Sequence, residues 1–169
     1  VDFGVICGIR TKSQQAELVK SGASMIEIGN FDSFYIKGRF FNADEVLALT
    51  MNTRKLLPNV FLSVTVPHAM PLDKQAQLAI DLVHEGADMI QTEGAMTSQP
   101  SKAGALGLIQ KAAPTLAAAF TMAENFKTLS IDIPIICASG LSAVTVPMAI
   151  ASGASGVGIG SAINRLNDQ

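Results

Sequence analysis

Three stretches of this chain are built alike: ELVKSGASMIEIGN (17–30), DLVHEGADMIQTEG (81–94) and MAIASGASGVGIGS (148–161). Each reads as a helix end, a Gly-Ala turn and a short apolar strand. Gly22, Gly86 and Gly153 fall where a helix C-cap needs left-handed backbone, which glycine enters without penalty. They lie 64 and 67 residues apart, about twice the length of one βα unit. Between them sit strands of a second style, VFLSVTVPH (60–68) and IPIICASG (133–140). The chain thus reads as strands near 4–9, 24–29, 60–66, 88–93, 133–138 and 155–159. Helices are expected near 11–21, 43–57, 72–85, 104–128 (broken or kinked at Pro114), 141–152 and from 161 onward. Strands alternating with helices imply a parallel sheet with right-handed crossovers.

Two architectures satisfy that order, a (β/α)8 TIM barrel and a doubly wound open sheet. The polar residues favour the barrel. Glu27 opposes Ile26 and Ile28, Ser63 and Thr65 oppose Leu62 and Val64, and Gln91 and Glu93 share a face. Cys137 and Ser139 are read as the polar pair of the next strand. A sheet covered on both sides wants both faces apolar, whereas a barrel interior becomes polar towards its C-terminal mouth. Six units cannot close eight strands, so the expectation is one partial barrel domain over 1–169, covering units three to eight.

No charged residue occurs from Ile133 to Asn164, but Pro134, Pro147 and several glycines interrupt the run. A buried βαβ segment explains it better than a membrane span. With 49% hydrophobic residues, 15% charged and a net charge of −2, the chain is neither disordered nor a basic nucleic-acid binder. Cys7 and Cys137 suggest no disulfide framework, and the few histidines and cysteines make no recognised metal spacing.

The segment 133–162 holds two small-residue turns, each leading into a helix. Ser139-Gly140-Leu141 follows one strand and Gly158-Ile159-Gly160-Ser161-Ala162 the next. In a TIM barrel, the loops after the last two strands commonly hold a phosphate group. Ser139, Gly140, Gly158, Gly160 and Ser161 are therefore the expected phosphate contacts, against a reading in which the glycines only make turns. Glu27 and Glu93 are inward carboxylates suited to acid–base work, unless an unseen cation holds them. His68, after Pro67 at a strand end, is expected to project into the mouth and joins them as a catalytic candidate. Asn30, Thr65 and Gln91 are the substrate-binding candidates, with Gln91 expected to organise Glu93 and Asp32 to cap a turn. His84 suits a helix C-terminus, and Cys137 lacks a basic partner and reads as packing. Lys102, in the polar loop after 93, reads as solvated. No strand carries an inward lysine for a Schiff base.

The motifs MIEIGNFDSFY (25–35), LSVTVPHAMPLDKQAQLA (62–79), KAAPTLAAA (111–119), CASGLSAVTVP and GVGIGSAINRLND resemble the hypothetical chloroplast reading frame twenty-three family of algal plastid genomes and cyanobacteria. The resemblance runs along essentially the whole chain. It implies an aldolase-type, phosphate-binding TIM barrel, located in the plastid stroma or, in cyanobacteria, the cytoplasm; it brings no catalytic residues. The expected partner is a phosphorylated small molecule, with neither nucleic acid nor membrane. The leading function is a lyase, isomerase or synthase acting on it. Two alternatives stay open: an FMN-binding oxidoreductase, since FMN phosphate uses the same loops, and a non-catalytic sensor or scaffold.

Overall fold

Side chains of a parallel sheet share a face with their partners in register, so pairing decides which residues meet. The computed structural model describes residues 17, 20, 22–29, 31–94 and 99–160. The strand expected near 4–9, most of the helix near 11–21, Asn30, Ser161 and the helix beyond it lie outside the described residues. The elements are β1 (Met25–Ile28), α1 (Asp32–Tyr35), α2 (Ala43–Leu56), β2 (Phe61–Thr65), α3 (Leu72–His84), β3 (Met89–Gln91), α4 (Gly104–Thr128), β4 (Ile135–Ala138), α5 (Val146–Ala151) and β5 (Gly156–Gly158).

The strands form one parallel sheet in the order β1-β2-β3-β4-β5. A doubly wound sheet reverses its strand order part-way. This one never does, so the sheet is a section of a (β/α) barrel. Ile26, Ile28, Leu62, Val64, Ile90 and Ile135 are buried in one core with α2, α3 and α4 residues such as Val46, Leu78, Leu82 and Met122. The opposite face carries Glu27, Ser63, Thr65 and Gln91. Among the described residues no helix is long and apolar enough to cross a membrane.

Gly22, Gly86 and Gly153 have φ of 97°, 95° and 90°, as the helix-end reading requires. α2 starts with a reciprocal cap: Glu45 N–H donates to Asn42 Oδ1 at 3.0 Å, and Asn42 N–H to Glu45 Oε2 at 3.0 Å. Three expectations need correction. α4 runs unbroken through Pro114, because neighbouring turns hold the helix where one N–H is lost. The turn before Phe34 and Tyr35 is the short helix α1. The helix expected from 141 begins only at Val146 with Pro147 in its first turn, since Ser142–Thr145 forms a separate turn closed by Ser142 N–H to Thr145 Oγ1 at 2.9 Å.

Arg54, at the end of α2, ties the strand N-termini together. Its guanidinium donates to the carbonyls of Val60 at 2.8 Å and of Gly86 at 2.6 Å, and reaches Asp88 Oδ2 at 2.5 Å. Asp88 Oδ2 also accepts the Leu62 N–H at 2.8 Å. One planar fork thereby fixes the starts of β2 and β3. Arg54→Ala should lower stability by about 2–3 kcal/mol through lost charge-assisted bonds. Arg54→Lys should recover less than half of that, because an ammonium cannot span the same carbonyls. Urea denaturation, read as a shifted midpoint at constant slope, checks both.

Candidate active site

Register builds the site. Glu27 pairs with Ser63, and Ser63 with Met89. One pleat further on, Thr65 pairs with Gln91, and Gln91 with Ile136. Ala138 pairs with Gly158. These residues share the inner face, and towards its C-terminal end lies a cavity of about 430 Å³. Glu27, Thr65, Gln91, Thr92 and Glu93 wall one side; Ala138, Ser139, Gly158, Ile159 and Gly160 wall the other. A Cβ on Gly158 would lie 2.9 Å from Ala138 Cβ, so glycine lets β5 approach β4.

Glu93 lies just past β3 and is 5% exposed. Its Oε2 receives Tyr35 Oη–H at 2.8 Å, His68 Nδ1 at 2.9 Å and the His68 N–H at 3.4 Å. We assign the Nδ1–H tautomer because a carboxylate oxygen can only accept. Oε1 has no hydrogen-bond partner among the described residues. Tyr35 is itself braced, stacked on Phe40 with ring centroids 5.0 Å apart and edge-on to His68 at 5.1 Å. His68 was expected to project into the mouth. Instead its side chain is 3% exposed behind Glu93 and does not line the cavity. The Glu93 contact and the Tyr35 ring turn it inward. Gln75, on α3, donates to the carbonyls of Met70 at 2.7 Å and His68 at 3.3 Å, holding the loop that carries His68.

Glu27 is 7% exposed. Its Oε1 accepts from Gln91 Nε2 at 3.0 Å and Thr65 Oγ1 at 3.3 Å. Gln91 was expected to organise Glu93. It serves Glu27 instead, because side chains lean along the strand and Glu27 reaches up to the Thr65–Gln91 level. Gly29 keeps that space open: a Cβ there would collide with Thr65 Oγ1 and sit 2.6 Å from Glu27 Oε1. Burial pushes the Glu27 carboxyl above its ordinary 4.5; the Thr65 and Gln91 hydrogen bonds oppose this, and the Glu93 charge adds to it. A carboxyl raised in the folded state holds its proton more tightly there than in the unfolded chain. Glu27 thus costs nothing below the unfolded value and erodes stability as pH rises through the folded one. Glu27→Gln should therefore be more stable than the parent at pH 7, with the gap closing near pH 4. Thermal melts across that range test it.

Behind Ser139 lies a closed circuit of hydrogen bonds. The Ala138 N–H donates to Thr92 Oγ1 at 3.1 Å, and the Thr92 and Thr115 hydroxyls are 2.5 Å apart. Thr115 Oγ1–H donates to the Ala138 carbonyl at 2.5 Å, so Thr92 is the donor to Thr115. Both sides of the Ala138 peptide are fixed, and Ser139 and Gly140 follow with φ of 77° and 75°. That double left-handed step corrects one expectation. Ser139 lines the cavity, but Gly140 turns towards α4, where a Cβ would lie 2.9 Å from the Lys111 carbonyl. Cys137 is corrected too. It is fully buried on the helix side with Ala112 and Ala119, and burial pushes its thiol up. Ile136, in register with Gln91, holds the inner-face position. Lys102 and His84 are exposed. Among the described residues no three metal-binding side chains come together. Tyr35 is the contributor that strand alternation could not find; its aromatic neighbours in FDSFY were the available signal.

Residues 5–169 match the family described as "Protein of unknown function (DUF561)". The chain belongs to this family. It is 43% identical over 164 residues to the uncharacterized protein ycf23 of Porphyra purpurea, covering 96% of this chain and 60% of that protein. It is 44% identical over 149 residues to ycf23 of Cyanophora paradoxa, covering 88% and 59%. The resemblance read from the motifs is therefore correct, and the chain spans about 60% of the length of these relatives. Solved structures of similar fold include 2,3-dimethylmalate lyase, a PEP mutase/isocitrate lyase superfamily member (TM-score 0.68, 10% identity, 91% of this chain and 58% of that one). Oxaloacetate acetylhydrolase with its product oxalate is similar (TM-score 0.67, 12% identity, 93% and 58%). So is dihydrodipicolinate synthase from Oceanobacillus iheyensis (TM-score 0.61, 17% identity, 93% and 48%). At these identities the likeness concerns the fold, an aldolase-type TIM barrel.

Proposed function

We infer that the protein is a small-molecule enzyme of the lyase, isomerase or synthase kind, acting on a phosphorylated metabolite. The reading rests on one observation. A cavity of about 430 Å³ has two nearly buried carboxyls on one wall and the small-residue turns Ser139 and Gly158–Gly160 on the other. That volume suits a metabolite. A phosphate is the group that two small-residue turns at the ends of adjacent barrel strands accommodate best. The carboxyls then face the other end of the ligand, with Glu93 and Glu27 moving protons and Tyr35 and His68 holding Glu93. The fold neighbours named as a lyase, an acetylhydrolase and a synthase support the same kind of chemistry. The relatives ascribed to algae agree with a plastid protein.

The test is thermal shift of the full-length protein with inorganic phosphate and glycerol 3-phosphate. At a concentration 100 times Kd, binding should stabilise it by about 2.7 kcal/mol, a rise of a few degrees. Gly160→Asp should abolish the shift without unfolding the protein, since a Cβ there meets nothing within 4 Å. No shift with either ligand in the parent protein would refute the phosphate reading. A flavin absorbance spectrum in the purified protein would point to the FMN alternative.

A further inference from the structure

The two carboxyls are not equivalent, and the difference assigns them opposite jobs. Each uses one oxygen for the protein and leaves the other without a hydrogen-bond partner among the described residues. Glu93 spends Oε2 on three donors, from Tyr35 and His68. With Oε2 engaged by three donors, Oε1 beside the cavity is left as the oxygen that can accept a proton from a ligand. Glu27 spends Oε1 on Gln91 and Thr65. Its free Oε2 belongs to the same cavity wall, with the Glu93 carboxyl as a neighbour. Two carboxyls on one wall repel when both are charged, and Glu27, held by two donors against three on Glu93, is the one better placed to take a proton, on its open Oε2.

We propose that the site catalyses enolisation of a phosphorylated hydroxyketone, with Glu93 as the base that removes a proton from the carbon beside the carbonyl and Glu27 as the neutral acid that hydrogen-bonds the carbonyl oxygen. The raised affinity of Glu27 for its proton agrees with this division. Environments that push two carboxyls apart mark which is the acid and which the base. The step balances without a co-reactant. Glu93 Oε1 takes the proton, the C–H pair becomes the new C=C bond, and the carbonyl π pair moves to oxygen, which takes the proton of Glu27 Oε2. Reversal returns one proton to carbon and one to Glu27. Of the cavity-lining residues described, Glu27 is the group besides Glu93 that can donate a proton to a carbonyl oxygen from a carboxyl. The inference rests on the phosphate reading for its anchor and on the carboxyl geometry for its chemistry.

The experiment is proton NMR of dihydroxyacetone phosphate and ribulose 5-phosphate in D2O with the full-length protein. The signal of the C–H beside the carbonyl should wash out at least about 100-fold faster than in buffer. Glu93→Gln should fall to the buffer rate. Glu27→Gln should slow exchange about 10- to 100-fold while calorimetric affinity changes little. Tyr35→Phe should slow exchange less and shift its pH profile, which a merely structural role would not do. Exchange at the buffer rate with protein that binds either phosphate by calorimetry would overturn the proposal, as would wild-type exchange in Glu93→Gln. The anchor fails separately: if unphosphorylated dihydroxyacetone exchanges as fast as its phosphate, the acid–base assignment stands and the phosphate reading falls. If neither phosphate binds nor exchanges, both fall.

Discussion

The in-register parallel pairing of β1, β2 and β3 is the constraint on which the rest of the structure depends. A slip of one residue on any strand would send its inner set to the helix side and bring an isoleucine or valine into the cavity. With Thr65 opposite Gln91, and Glu27 one pleat below, the side chains meet without any loop having to position them. The isoleucines, leucine and valine of the other face hold that register by packing against α2, α3 and α4. Arg54 and Asp88 reinforce it at the strand starts, the opposite end from the cavity.

On this frame the protein keeps two carboxyls almost out of water, which is expensive unless hydrogen bonds replace the lost hydration. The replacements differ in kind. Glu93 draws on an aromatic clamp, with Tyr35 from the short helix α1 after β1 and His68 from the loop after β2 meeting on one oxygen. Glu27 draws on its strand neighbours Thr65 and Gln91, and Gly29 keeps their space clear. Three donors converge on one oxygen of Glu93, whereas Glu27 has two and its burial favours the protonated form. A single wall thus presents both carboxyls, opposite turns whose small residues leave room for a ligand.

Much of this was legible in the sequence, for stated reasons. Strand alternation put Glu27, Thr65, Gln91 and Glu93 on one face, because a period of two survives in any parallel strand. Gly22, Gly86 and Gly153 marked helix ends through the conformation they permit. What stayed hidden depended on contacts between distant segments. Tyr35 lies 58 residues from Glu93 and carries no periodic signal. Gly140 faces α4 because of the chain reversal at Ser139, not because of its neighbours in sequence. Cys137 was misplaced because Ile135-Ile136-Cys137 has no alternation to read, and a thiol packs as readily as a methyl group. His68 was placed correctly along the chain, yet its direction is set by Glu93.

The fold is shared with enzymes at 10–17% identity, a range in which architecture persists while sites diverge. In this chain a clamped Glu93 is paired with a second, strand-held carboxyl, Glu27, across from the small-residue turns. A crystal structure of the full-length protein with bound glycerol 3-phosphate tests that arrangement most directly. The account predicts the phosphate against Ser139 and Gly158–Gly160, and the glycerol hydroxyls within hydrogen-bond reach of Glu93 Oε1 and Glu27. A phosphate bound away from these turns, or Glu93 turned from the ligand, would contradict it.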